Sequence, residues 1–254
     1  MTSFSANLGF LFTDRGLPDA IRAAHYEGFA AVECHWPYST PVEQVNAALT
    51  ETGLVMLGLN TRRGEPGESG LSALPGREVE ARLAIDEAIA YAVAVHAGAV
   101  HVMAGNAAAM GPAFLAFLGN LRYACQQAEP HGITVLIEPL NLADNPGYYL
   151  NTLEHALGFI EAVERPNLKI MFDCYHAGIT ERDVVSSFDR VRDHIGHVQF
   201  AAVPGRTEPD KGELDYAEIF AHIEASGWTM PLGAEYRPNG RTEDSLQWMY
   251  ALGD

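Results

Sequence analysis

"ITVLIEPL", residues 133–140, begins with five β-branched or leucine residues. That is the composition of a strand buried on both faces of a parallel sheet. The run then stops on Glu138, followed by a proline. A buried carboxylate costs on the order of several kcal/mol to desolvate unless it is paired or bound to a metal. The ending therefore asks for a partner, and similar endings recur along the chain.

Strand-like runs come at regular intervals: "FSANLGFLF" (4–12), "AAVECHW" (30–36), "LVMLGLN" (54–60), "AVHVMAG" (99–105), "ITVLIEP" (133–139), "LKIMFDCYH" (168–176), "IGHVQFAA" (195–202) and "PLGAEY" (231–236). Between them lie stretches with helical apolar spacing, among them "LPDAIRAAHYEGF", "VEQVNAALTETG" and "NTLEHALGFIEAV". Gly28, Gly53, Gly132 and Gly227 stand where helices should end. Eight strand-then-helix units without a low-complexity linker predict an α/β chain, a single (β/α)8 barrel over residues 1–254. A doubly wound open sheet is the runner-up, but the first strand lacks a G-x-G-x-x-G turn. Two long connections, 61–77 and 203–215, leave the C-terminal ends of strands three and seven. A barrel carries its chemistry at those ends.

Composition narrows the function. The chain has 254 residues, 48% hydrophobic and 19% charged, enough to bury a sizeable core. Its formal net charge of -17 repels nucleic acid. Cys34, Cys125 and Cys174 are scattered, as expected of reduced thiols in a cytoplasmic protein. The N-terminus lacks the pattern of a signal peptide. No Asp, Glu, Lys or Arg occurs between Glu87 and Arg122, yet histidines, a proline and four glycines interrupt that stretch. It reads as buried protein interior and not as a membrane span.

Strand five ends on Glu138, strand six carries Asp173, strand seven Gln199, and strand eight ends on Glu235. These residues lie 35, 26 and 36 positions apart, each about one βα unit. Four consecutive strands thus aim oxygen-bearing side chains at one mouth. Three carboxylates that close cannot all stay ionised without a cation. An all-oxygen set, with Gln199 coordinating through its carbonyl, favours Mg²⁺, or else Mn²⁺, over zinc. The competing reading pairs each buried acid with an arginine, but the chain has only 16 basic residues to share with its surface.

The stretches "FSANLGFLFT", "LSALPGREVEARLAID", "VHVMAG", "LIEPLN…PGYYLNT", "FDCYHAGI", "IGHVQFAAVPGRTEPDKGELDY" and "AEYRP" span nearly the whole chain. By them it resembles the hydroxypyruvate isomerases of the xylose-isomerase-like superfamily of TIM barrels. The resemblance implies metal ligands at Glu138, Asp173, Gln199 and Glu235, with Glu138 and Glu235 also the catalytic acid–base pair. It implies substrate contacts from His176 and Arg206, and more weakly from His101 and Arg237. His101 reads equally well as a hydrogen-bonded core histidine. Strict alternation would turn His176 away from Asp173, so the strand must end or bulge between them. By the same alternation Cys174 packs outward and is structural.

The implied reaction interconverts hydroxypyruvate and tartronate semialdehyde (2-hydroxy-3-oxopropanoate) by proton transfer through a cis-enediolate. Related alternatives are a 2-oxo-tetronate isomerase, where strand five would end "VEAL", and a ketose 3-epimerase, where a histidine would replace Gln199. An abasic-site endonuclease would need a histidine-rich zinc site and a basic groove. A metal-dependent carbohydrate-binding sensor is the non-enzyme reading. The implied partner is a small 2-oxo acid or short sugar, with no nucleic acid and no membrane; homo-oligomer formation stays open. The chain departs from the family near the mouth at "NTRRGEPG" (60–67), at His35 and Trp36 of "ECHWPYS", at Arg237, and in the loop "GNAAAMGPAF" after strand four.

Overall fold

The run that stops at Glu138 forms a strand, and each of the other seven runs contains one. In the computed structural model, which describes residues 2–108 and 111–253, these are β1 (Phe4–Asn7), β2 (Ala31–Cys34), β3 (Val55–Asn60), β4 (Ala99–His101), β5 (Thr134–Ile137), β6 (Leu168–Asp173), β7 (Ile195–Phe200) and β8 (Leu232–Ala234). They are hydrogen-bonded in sequence order and closed into a barrel. Most strands are shorter than the apolar runs because the last residues of every run but the third turn into the loops. After Asn7, for example, the chain folds back, with the Phe10 and Leu11 amides both donating to the Asn7 carbonyl at 3.1 and 2.9 Å.

Helices fill the connections: α1 (Leu17–Tyr26), α2 (Val42–Thr52), α3 (Glu78–Ala94), α4 (Gly111–Ala128), α5 (Leu153–Val163), α6 (Cys174–Thr180), α7 (Val184–Val191), α8 (Tyr216–Ala225) and α9 (Trp248–Leu252). Gly53 ends α2 in the left-handed conformation, as its place in the sequence predicts. Thr152 caps α5 by accepting from the His155 amide at 3.1 Å.

The chain divides into two compact units. The first comprises Met1–Leu57, Asp173–Arg190 and His197–Asp254. Phe4 of β1 meets Trp248 of α9 edge-on at 4.9 Å, and Phe200 of β7 packs on Phe220 of α8 at 4.9 Å. Each fully buried ring of this kind contributes roughly 1.5–3 kcal/mol.

The second unit comprises Gly58–Phe172 and Val191–Gly196. Here the charge-free stretch finds its explanation. Helix α3 buries Ala84, Ile85, Ala88, Ile89 and Ala92, β4 is buried throughout, and α4 buries Ala116, Phe117, Asn120, Leu121 and Ala124. Among the described residues no helix is long and apolar enough to cross a membrane. The 61–77 connection folds onto the exit of β4, where the Ala73 amide donates to the Ala104 carbonyl at 2.7 Å. Arg62 forks onto Glu87 at 2.5 and 2.8 Å, and Arg63 Nε donates to the Glu68 carbonyl at 3.0 Å. In the loop after β4, Ala109 and Met110 lie outside the described residues.

Candidate active site

Asp173 is both the last residue of β6 and the cap of α6, its Oδ1 accepting from the Tyr175 amide at 2.8 Å. The strand therefore ends where alternation required a break. His176 sits on the first turn of the helix and comes back to the carboxylate, with Nε2 3.7 Å from Asp173 Oδ2. Glu138 stands one residue beyond β5, which pairs in parallel with β6. Asp173 and His176 are both buried, and Glu138, in the other unit, is buried as well. His101 of β4, also buried, places Nδ1 3.7 Å from Glu138 Oε2.

Glu235 stands just past β8, where its amide donates to the Phe200 carbonyl at 3.1 Å. Its two oxygens have separate partners. Oε1 accepts from Asn7 Nδ2 at 2.9 Å and pairs with His35 Nε2 at 2.9 Å. The Asn7 amide is fixed in turn by the Gly9 N–H, which donates to Oδ1 at 2.9 Å. Gly9 also makes room for the imidazole: a Cβ there would lie 2.1 Å from His35 Nδ1. Oε2 of Glu235 is left for Arg206, whose Nη2 donates to it and also to Asp173 Oδ2, the latter at 3.1 Å.

Arg206 reaches this position from an unusual backbone. Its φ is 51°, in the left-handed region, which costs roughly 1–2 kcal/mol for a residue with a Cβ. A tight turn holds it there: the Arg206 amide donates to the Ala202 carbonyl at 2.7 Å, and the Ala202 amide to the Thr207 carbonyl at 3.0 Å. The guanidinium lies 4.9 Å from the Tyr175 ring and 5.1 Å from the Phe10 ring. Its Nη1 lies 3.3 Å from His176 Nε2. Arg237 stays exposed, stacked 5.5 Å from Phe10.

Gln199, buried in β7, donates from Nε2 to Glu33 Oε2 at 2.9 Å. Its Oε1 is buried and has no hydrogen-bond partner among the described residues.

Electrostatics registers the crowding. Burial pushes the Asp173 carboxyl up to about 7, with Arg206 opposing and the charge of Glu235 adding. Burial works to raise Glu235 as well, but Arg206 and His35 outweigh it and hold this carboxyl down to about 2. The arginine-pairing reading thus finds one real instance, yet a single guanidinium serves two buried carboxylates and leaves one of them hard to ionise. The donors fit a hard divalent cation: clustered carboxylates, a buried amide carbonyl lacking a partner, and an imidazole at the edge. Cys174 is buried and its thiol is pushed well up by burial and by Asp173, consistent with a structural role.

Sequence reasoning missed the supporting residues Asn7, Glu33 and His197, and noticed His35 only as an oddity. Each is a polar residue inside or just past an apolar strand. His197 shares a strand face with Gln199, two positions away.

The chain matches the xylose isomerase-like TIM barrel family over residues 21–252. It is 39% identical to the 2-oxo-tetronate isomerase of Cupriavidus necator, covering 98% of each chain. It is 35% identical to the hydroxypyruvate isomerase of Escherichia coli, again over 98% of each. Among solved structures, a Brucella melitensis protein named AP endonuclease, family 2 superposes with a TM-score of 0.94 at 36% identity, over 99% of each chain. Closed barrel, strand-end carboxylates and full-length relatives agree: the chain belongs to the xylose isomerase-like TIM barrel family, and stands there as an enzyme beside relatives named as isomerases.

Proposed function

We propose that this protein is a metal-dependent isomerase of short 2-oxo acids, interconverting hydroxypyruvate and tartronate semialdehyde. The observation that carries the reading is the buried pair Asp173 and Glu235, drawn together around one cationic nitrogen beside His176. In this reading Glu138, Asp173, Gln199 and Glu235 hold a divalent ion, Mg²⁺ or Mn²⁺, with His176 at its edge. Such an ion stabilises negative charge developing on adjacent carbonyl and hydroxyl oxygens.

The chain's own residues do the rest. One of Glu138 and Glu235 removes the carbon-bound proton, and the other returns a proton to the neighbouring carbon. Asn7 and His35 hold Glu235 Oε1, which leaves Oε2, bonded by Arg206, as the oxygen that serves the proton transfer in this reading. Arg206, with its charge in place and its guanidinium wedged between Tyr175 and Phe10, is suited to a carboxylate. In a molecule of net charge -17, an anionic substrate needs such a local cation. His101 beside Glu138 and Arg237 beside Phe10 complete the substrate contacts. The three free, buried cysteines suit a reducing, cytoplasmic setting.

A 2-oxo-tetronate isomerase is the second reading, favoured by the 39% identity to the Cupriavidus necator enzyme. Turnover on a panel of short 2-oxo acids and uncharged ketoses with added Mg²⁺ or Mn²⁺ tests both. Solvent deuterium should enter the carbon skeleton of the true substrate; absence of incorporation into any 2-oxo acid would end the isomerase reading.

A further inference from the structure

Glu33 is a buried carboxylate, 5% exposed, with no part in the proposed reaction. Its Oε2 accepts from Gln199 Nε2 at 2.9 Å and lies 3.0 Å from His197 Nε2, while Ser5 Oγ donates to Oε1 at 3.4 Å. Gly233 of β8 makes room for this group. A Cβ there would lie 2.2 Å from Glu33 Oε1 and 2.9 Å from both Gln199 Cγ and His197 Nε2.

A primary amide has two ends of nearly equal shape and opposite hydrogen-bonding character, whereas an ionised carboxylate only accepts. Gln199 can therefore satisfy Glu33 only through its NH₂, and its carbonyl must point the other way. That carbonyl oxygen is buried and lacks a hydrogen-bond partner among the described residues. Leaving it so costs about 1–3 kcal/mol, and native interiors rarely tolerate it without a ligand. With the amide reversed, N–H groups would face the cation and repel it.

We propose that Glu33 is a positioning residue that orients the Gln199 amide so that its carbonyl, and not its NH₂, is presented to a divalent cation. This rests on the metal-dependent reading above. Glu33 touches neither substrate nor cation; it acts through Gln199. The bland alternative is that Glu33 serves only to pair with His197.

The test is calorimetric titration of Mn²⁺ into metal-free protein, with circular dichroism to check folding. Glu33→Gln satisfies Gln199 in either orientation, and Mn²⁺ should bind at least about tenfold more weakly, as for other groups that orient a metal ligand. Gly233→Ala, whose added Cβ would press hardest on Glu33 Oε1 and also on Gln199 Cγ and His197 Nε2, should give a loss of at least similar size and serves as the second variant if Glu33→Gln does not fold. The exchange Glu33→Gln with Gln199→Glu restores the hydrogen bond with reversed polarity and offers the cation a carboxylate. Binding should return to within about threefold of the parent, less than half of one tenfold step in free energy. A purely structural role through His197 would be lost in the exchange as in the single variant. Parental Mn²⁺ affinity in both Glu33→Gln and Gly233→Ala, or an exchange variant no tighter than Glu33→Gln, would overturn the proposal. If the parent itself binds no Mn²⁺, the metal reading falls and takes this inference with it.

Discussion

Arg206 Nη2 stands 3.1 Å from Asp173 Oδ2 and bonds the Glu235 carboxylate at the same time, so one guanidinium nitrogen lies between two of the four strand-end oxygen donors. A divalent ion drawing on both carboxylates would compete with that nitrogen. Arg206→Ala should therefore have effects of opposite sign. Mn²⁺ affinity of the metal-free protein should rise about tenfold, the size of one charge-assisted hydrogen bond. KM for hydroxypyruvate should rise by a similar factor or more, while an uncharged ketose of like size is little affected. Arg206→Lys should only partly restore KM, because lysine lacks the planar fork. Steady-state kinetics together with metal titration would check both signs.

Glu138→Gln and Glu235→Gln should each lower turnover by at least about 10²-fold, the usual lower range for losing a positioned acid or base. Glutamine keeps a carbonyl for coordination, so part of the metal should remain. Near-parental turnover in either variant would leave that glutamate a ligand only.

Asp173 has two functions that substitution can separate. Asp173→Asn keeps an oxygen for the Tyr175 amide and so retains the cap of α6, while Asp173→Ala removes it at about 1 kcal/mol. Both variants should lose bound metal by elemental analysis, but only the alanine form should show the lower denaturation midpoint. Full metal occupancy in Asp173→Asn would remove this residue from the ligand set.

The fold and the acidic mouth were legible because each rests on a repeating relation. Strands of the right composition recur at βα spacing, and Glu138, Asp173, Gln199 and Glu235 fall one unit apart. The network around those residues was not legible, because its partners are distant in sequence. Asn7 meets Glu235 across 228 positions, and Glu33 meets Gln199 across 166. Nothing local marks such a pair except a polar residue in an apolar strand. The resemblance and the loop position of Arg206 imply a substrate contact, but its bridge between two carboxylates depends on a left-handed backbone that no residue type at that position announces. The break after Asp173 was demanded by alternation, and only the structure shows it to be a helix start.

His155 supplies a pH test away from the mouth. Burial lowers its pKa below the ordinary 6.5. The ring packs against Tyr149 at 5.0 Å and Phe159 at 5.2 Å. Below pH 6.5 the unfolded chain takes up a proton that the folded chain resists, so stability rises with pH through that range. Over about pH 7.5 to about pH 5.5 the raised Asp173 carboxyl acts with the opposite sign, so the contribution of His155 is read as a difference: on acidification the urea midpoint of His155→Gln should shift upward relative to that of the parent. Equal slopes in parent and variant would contradict the assignment.

The contact of Trp248 with Phe4 has a consequence for how the molecule is made. The first strand emerges from the ribosome long before the helix that covers its aromatic end. At the usual ~5–20 residues per second, Phe4 waits on the order of ten to fifty seconds for Trp248 to be synthesised. Gly58–Phe172, by contrast, is one continuous stretch that can begin to pack as it appears. Synthesis therefore leaves the nascent first strand with an uncovered ring for most of translation, an interval in which a chaperone that recognises exposed aromatics has something to hold.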